Sequence, residues 1–330
     1  PGSPQSRLHT ACCIGRDLAL TLALTLIDHR PGNPIVLARM SSKLPVSDRF
    51  AAEILHWFPK QVFSRSMGWA SRLQVPRPLR DPIYRGFARH YGVDLSELDR
   101  PLSEFNRFDE FFCRPLPDGA REIAPGEDVL VSPCDGVLSG AGEATAGLCI
   151  HAKGQEYSVG GLLQDEAAAR QFIGGTFLTI YLAPHNYHRV HAPLAGDVHG
   201  YRHIPGARYP VNAMSVRTVP QLFMRNERLV TYLRSEAGEI AFVMVAANGV
   251  GNITVSYEPA LSTLAGGPDR GACSYEEARP LGKGDELGMF HLGSTVILLF
   301  EPGRVQIDIP TGTPVRVGQR IGRTTSLHQG

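Results

Sequence analysis

Residues 290–300 read Phe290-His291-Leu292-Gly293-Ser294-Thr295-Val296-Ile297-Leu298-Leu299-Phe300. From Thr295 to Phe300 the run is apolar and rich in β-branched side chains, which predicts a buried strand. The Gly293-Ser294 pair before it predicts a tight turn. In such a turn the serine hydroxyl can attack the preceding carbonyl and shift the backbone from amide to ester. β-Elimination then cuts the chain, and hydrolysis of the dehydroalanine leaves a ketone, a pyruvoyl group, on the new N-terminus. Gly293 suits the first step because without a Cβ it accepts a strained backbone and leaves its carbonyl open. No amino acid carries an electrophilic ketone, and amine chemistry through a Schiff base requires one. Taken alone the signal is weak, because Gly2-Ser3 repeats it and most such pairs are ordinary turns.

Working outward, short β-branched runs separated by Gly, Pro and Asp-Gly predict strands at 129–132, 176–183, 240–246, 253–257, 295–300 and 305–309. Within this region only Gly161 to Phe172 reads as helical, and the Gly- and Pro-rich stretch from Ser262 to Lys283 reads as a surface loop. Before it, residues 50–112 predict short helices broken by prolines: 50–58, 60–73, a third from Asp81 at the cap and Pro82 at the first position to His90, and a fourth from Ser103 to Phe112. The fold class expected is α+β, a mostly antiparallel β core with an N-terminal layer of short amphipathic helices.

The 330 residues are 43% hydrophobic and 20% charged, enough for an ample core. A net charge of +1 gives no basic field to neutralise many phosphates, so nucleic acid is not an expected partner. Six cysteines without Cys-x-x-Cys spacing predict free thiols in a reducing compartment. The longest apolar run, Leu18 to Ile27, is too short to span a bilayer and lacks signal-peptide flanks. Because the chain starts at Pro1 and Met40 is a plausible initiator, residues 1–49 read as a leader or disordered extension, residues 50–115 as a helical membrane-associating region, and 116–330 as a catalytic core.

From Ile54 to Arg80 there is no acidic residue, while Lys60, Arg65, Arg72, Arg77 and Arg80 are basic. Both tryptophans, Trp57 and Trp69, fall here beside Phe58 and Phe63. Basic residues interleaved with aromatics on amphipathic helices favour the headgroup zone of an anionic bilayer; the bland alternative is a helix pair packed on the core. The membrane contacts expected are Trp57, Lys60, Phe63, Arg65 and Trp69.

A self-cleaving serine needs a base, and the base an orienting partner. The sequence offers His185-Asn186-Tyr187-His188-Arg189-Val190-His191 after a predicted strand, and Ser132-Pro133-Cys134-Asp135-Gly136 in a turn between strands. On a regular strand His188 and His191 point to opposite faces, although a turn after Pro184 lets both line one pocket. Zinc is a competing use of three histidines, but no nearby carboxylate or cysteine completes a pattern, and no metal is expected. A surface loop with incidental histidines is the plain alternative, and Asp-Gly is above all a common hairpin turn.

Asp135-Gly136, Tyr187-His188-Arg189-Val190-His191, Arg225-Asn226-Glu227-Arg228 and Leu292-Gly293-Ser294-Thr295 together resemble, in order and spacing, the motifs of bacterial phosphatidylserine decarboxylase. The similarity extends through residues 105–116, Ala152-Lys153-Gly154 and Val219-Pro220, and covers about 50–325. It implies that Ser294 is the cleavage serine and becomes the covalent pyruvoyl cofactor, that His191 is the base and Asp135 its orienting acid, and that His188 acts in decarboxylation. Scission between Gly293 and Ser294 divides a β chain from an α chain of 330 minus 293, or 37, residues. The two chains are then partners as a heterodimer, with a dimer of such pairs open. The substrate implied is phosphatidylserine, which is converted to phosphatidylethanolamine and CO2, and the place a peripheral one on an anionic membrane, at the cytoplasmic face of the inner membrane. Two rivals remain: an uncleaved Ser-His-Asp hydrolase using the same three residues, and a non-enzymatic lipid-binding module resting on residues 54–80.

Overall fold

The computed structural model describes residues 69–145, 157–211, 215, 219–247, 252–263, 269–291 and 294–325, all within the unit Ala38–Gly330. Residues 1–49, the expected helix 50–58, most of the expected helix 60–73 with Trp57, Lys60, Phe63 and Arg65, and Gly293 lie outside the described residues.

Helix α1 (Arg77–Tyr91) starts a turn earlier than Asp81. Pro78 occupies its first turn, where a missing N–H is harmless, so Pro82 falls inside the helix and leaves one rung of the ladder without a donor. Gly92 closes it in the left-handed conformation at φ 77°. The expected helix 103–112 is broken into a 3-10 turn, Leu102–Glu104, and helix α2 (Phe108–Phe112). Between them Asn106 O accepts from Val75 N at 2.8 Å and Arg107 bridges Gln74, which draws the backbone out of helix. The phenylalanines still share a core: Tyr84 of α1 stacks on Phe111 at 4.9 Å, and Phe87 meets Phe108 edge-on at 4.9 Å.

Among the described residues fourteen strands follow, all in antiparallel pairs. They are β1 (Val129–Val131), β2 (Gly136–Glu143), β3 (Thr176–Leu182), β4 (Arg189–His191), β5 (Gly196–Ile204), β6 (Arg228–Ser235), β7 (Gly238–Ala246), β8 (Ile253–Val255), β9 (Ala272–Leu281), β10 (Glu286–Phe290), β11 (Ser294–Phe300), β12 (Val305–Ile307), β13 (Pro314–Val315) and β14 (Arg320–Thr324). The main sheet runs β13-β2-β3-β11-β7-β6-β5-β9, with β1-β14-β12 and β4-β10-β8 as two smaller sheets. Strand β11 lies between β3 and β7 and is buried at all seven positions, as its uninterrupted apolar run demands.

Two expectations are corrected. The segment 161–172 is not one helix: Gln164 turns left-handed at φ 47°, separating α3 (Val159–Leu163) from α4 (Glu166–Phe172), and Asp165 caps α4 by accepting from Ala167 N and Ala168 N. Within the expected loop 262–283, residues Ala272–Leu281 form strand β9, paired with β5 at the edge of the main sheet. It is exposed over much of its length, so no hydrophobic alternation marked it. Cys113, Cys134 and Cys273 are free thiols. No described helix is long and apolar enough to cross a membrane.

Candidate active site

Ser294 opens β11, opposite Leu182 of β3 on one side and Ala246 of β7 on the other. It is 1% exposed, and its Oγ is sealed from water without a hydrogen-bond partner. A buried hydroxyl without a partner is unfavourable by about 1–3 kcal/mol, and such exceptions mark strain or function.

The strand end beside Ser294 is braced by a motif to which sequence reasoning gave no individual role. Asn226 Nδ2 donates to Ala246 O and to Tyr209 O, each at 2.9 Å, while Ala246 N donates to Glu227 O at 2.9 Å. Glu227 is held by the buried Arg208 at 2.7 Å, and His203 together with this ion pair keeps its carboxyl below the ordinary range despite burial. Arg228, 0% exposed, donates to the carbonyls of Gly161, Leu162, Met224 and Asn226, and burial pushes its pKa down to about 10. Four consecutive polar residues ahead of an apolar strand were the available signal: such residues stay buried only if each finds partners.

The histidines arrive through β10. Phe290 N donates to His188 O at 3.0 Å, and Met289 lies opposite Arg189, so the His188–His191 segment runs beside the chain that leads into Ser294. His188 is fully buried and stacks on Phe112 at 4.1 Å. Its Nε2 lies 3.1 Å from the carbonyl of Ala183, the residue after Ser294's partner Leu182. A carbonyl only accepts, so Nε2 carries the proton, and Nδ1 is left as a bare lone pair with no partner. Burial, aided by the Arg114 guanidinium, pushes the His188 pKa down to about 3.

His191 has different neighbours. Its Nδ1 donates to Gly284 O at 2.8 Å, and its Nε2 therefore accepts from the Tyr187 hydroxyl at 3.2 Å. Burial lowers its pKa. Pro133 O accepts from His191 N at 2.7 Å, which brings the Asp135 turn alongside. The Asp135 carboxylate does not bond the imidazole, however: it takes both Arg121 Nε (3.1 Å) and Nη2 (2.6 Å), and Val317 N at 2.9 Å. The orienting contact on Nδ1 comes instead from the backbone at Gly284, on the loop between β9 and β10. Gly136, next to Asp135, is needed for close approach, since a Cβ there would lie 2.4 Å from Tyr181 O. Among the described residues no group of three His, Cys, Asp or Glu is placed to hold a metal.

Two histidines without an assigned role are also placed. His291 donates its amide to Asn252 O at 3.0 Å and pairs its ring with Thr254 Oγ1 at 3.2 Å, and burial pushes its pKa down to about 4. His185 offers its carbonyl to Arg114 at 3.4 Å. Trp69, the one expected membrane contact within the described residues, is 64% exposed, and Leu73, Leu79 and Ile83 are 44–50% exposed.

The family model for phosphatidylserine decarboxylase matches residues 108–323. A phosphatidylserine decarboxylase proenzyme of Anaeromyxobacter sp. (strain K) is 47% identical over 281 residues, 84% of this chain and 99% of that protein. One of Myxococcus xanthus is 44% identical over 282 residues (85% and 100%), and one of Brevibacillus brevis 39% over 282 (81% and 95%). With a family match spanning most of the β core and full-length relatives this similar, the chain belongs to the phosphatidylserine decarboxylase family.

Proposed function

We propose that this chain is a self-processing phosphatidylserine decarboxylase, and the observation that carries the reading is the sealed, partnerless Oγ of Ser294 at the head of the central strand. Ser294 Oγ gives its proton to a base and attacks the Gly293 carbonyl; the C–N bond breaks and an ester forms. Removal of the Ser294 α-proton expels the Gly293 carboxylate, leaving dehydroalanine, whose tautomer takes up water and releases ammonia. The product is a ketone at position 294. The fit is good: Ser294 has no hydrogen bond to give up, and strands on both sides fix its backbone.

A pyruvoyl group so made supplies the electrophilic carbonyl that receives the substrate amine and draws off the electron pair released with CO2. Around it, this chain's residues exclude water and move protons. To His188, neutral and with a free Nδ1, we assign the proton transfer of decarboxylation. His191 is the base for scission, steadied by Gly284 and Tyr187, with Asp135 close by on the Pro133 turn. A second reading has its own support: His191 Nε2 is occupied by Tyr187, whereas His188 Nδ1 is free, so His188 itself is the scission base.

The helical layer fits a lipid substrate. Phe87 of α1 meets Phe112, which stacks on His188, while Leu79 and Ile83 of the same helix, and Trp69 and Leu73 before it, are exposed. We assign the exposed apolar side chains of this layer to the membrane-facing side. The layer seats the protein peripherally on an anionic bilayer, together with Trp57, Lys60, Phe63 and Arg65.

The test is intact mass. The wild-type chain yields a fragment of about 4 kDa, from 35.9 kDa over 330 residues, and releases CO2 from phosphatidylserine, whereas Ser294→Ala stays whole and inactive. A cut that survives Ser294→Ala contradicts the assignment, and an intact chain labelled by a fluorophosphonate establishes the hydrolase.

A further inference from the structure

Arg114 is 3% exposed, yet its guanidinium has almost nothing to bond. Nη2 reaches His185 O at a long 3.4 Å, and Nε is sealed without a partner. Among the described residues its guanidinium also lies over the face of Phe111, 5.8 Å from the ring centre. Two carboxylates are close enough to act on its charge, Glu97 and Asp135, but both are already in direct contact with Arg121. Glu97 is further engaged by Arg316, and Asp135 by Val317 N. A buried cation without a counter-ion is among the least favourable arrangements in a protein interior, and it persists where something else supplies the anion. Arg114 stands beside His188, whose ring rests on Phe112. The unsatisfied guanidinium therefore lies beside a residue of the proposed reaction site.

Resting on the decarboxylase reading, we propose that Arg114 is the residue that binds the phosphodiester of the substrate headgroup. The substrate brings two anionic groups to this pocket, and they behave differently during the reaction. The carboxylate must shed its charge as CO2 leaves, so a fixed cation on it stabilises the ground state and raises the barrier. The phosphodiester keeps its charge from substrate to product, so a guanidinium on it contributes equal binding throughout. The planar fork of arginine also matches two phosphate oxygens at once. Binding of this anion also offsets the positive charge beside His188.

The test uses processed full-length enzyme and three soluble amines as competitive inhibitors of phosphatidylserine turnover: ethanolamine, glycerophosphoethanolamine and serine. On wild type, glycerophosphoethanolamine is more potent than ethanolamine by on the order of tenfold or more, as expected of charge-assisted hydrogen bonds. Arg114→Gln brings the two within about twofold and raises KM for phosphatidylserine by a similar tenfold factor with kcat changed less than about threefold. Arg114→Lys retains part of the preference. A preference unchanged by Arg114→Gln overturns the proposal, as does a selective loss of serine inhibition, which places the carboxylate there instead. If Arg114→Gln fails to process, Arg114→Lys and wild type decide: equal potency of the two amines on wild type, or a full preference retained by lysine, overturns it. A wild-type chain that neither cleaves nor releases CO2 removes the functional reading first, and that failure is visible without any variant.

Discussion

Scission at position 294 should leave the small chain locked in place. The new N-terminus begins β11, which pairs at seven positions with β3 and at seven with β7. Val296, Ile297, Leu298, Leu299 and Phe300 are each 0% exposed. At about 1.5–3 kcal/mol for each buried side chain, this strand alone contributes roughly 7–15 kcal/mol of gross burial. Val315, Val317 and Ile321 are buried further along the same fragment, and Arg316 pairs with Glu97 at 3.2 Å. Withdrawing a central strand also opens the sheet on both sides, so dissociation is equivalent to unfolding. Processed enzyme passed through gel filtration in native buffer is expected to retain both chains in equal amounts, and guanidinium to separate them. Leu298→Ala, which removes about 2–5 kcal/mol, should lower the melting temperature without releasing the fragment. Loss of residues 294–330 from the wild-type protein on simple dilution would refute the reasoning.

The histidines divide the two readings of scission: His191→Ala is expected to block self-processing while His188→Ala processes but decarboxylates poorly, and an unprocessed His188→Ala beside a processed His191→Ala reverses the assignment. Acid should destabilise the fold through His188, because its pKa of about 3 in the folded chain lies below the ordinary 6.5. The unfolded chain binds the extra proton between those values, so stability is complete above about pH 6.5 and falls as pH drops toward 3. At pH 5 the loss from this group is about 2 kcal/mol. Urea unfolding of Ser294→Ala at pH 7 and pH 5 measures it, and adding His188→Phe should reduce the difference by about 2 kcal/mol, leaving the share of His191 and His291, whose pKa values burial also lowers; an unchanged difference removes His188 as a cause. For the membrane, replacing Trp57, Lys60 and Arg65 together should reduce sedimentation with anionic vesicles, and unaltered sedimentation favours core packing.

What could be read from the chain itself were the elements whose local chemistry is unambiguous. The run Thr295–Phe300 has no polar face and no proline, so it can only be a strand covered on both sides, and it is. The strands at 129, 176, 240, 253 and 305 carried the same signal and lie where expected, to within two residues at each end. Strand β9 was hidden because an exposed edge has no face to pattern, and the helix 103–112 broke because residues 74–75 captured its backbone, a contact no local rule contains. The site divides in the same way. Gly293-Ser294, the paired histidines and Asp135 could be named from residue type and order. Their bonding was decided by distant chain segments: Gly284 reaches His191, Arg121 claims Asp135, and Asn226 steadies the strand beside Ser294. Arg114 fell within the resembling stretch 105–116 without a role of its own, because an arginine stands out only once the fold has buried it and committed the neighbouring carboxylates to Arg121. Residue chemistry is local and readable in one dimension, whereas solvation and partnership depend on which segments the sheet brings together.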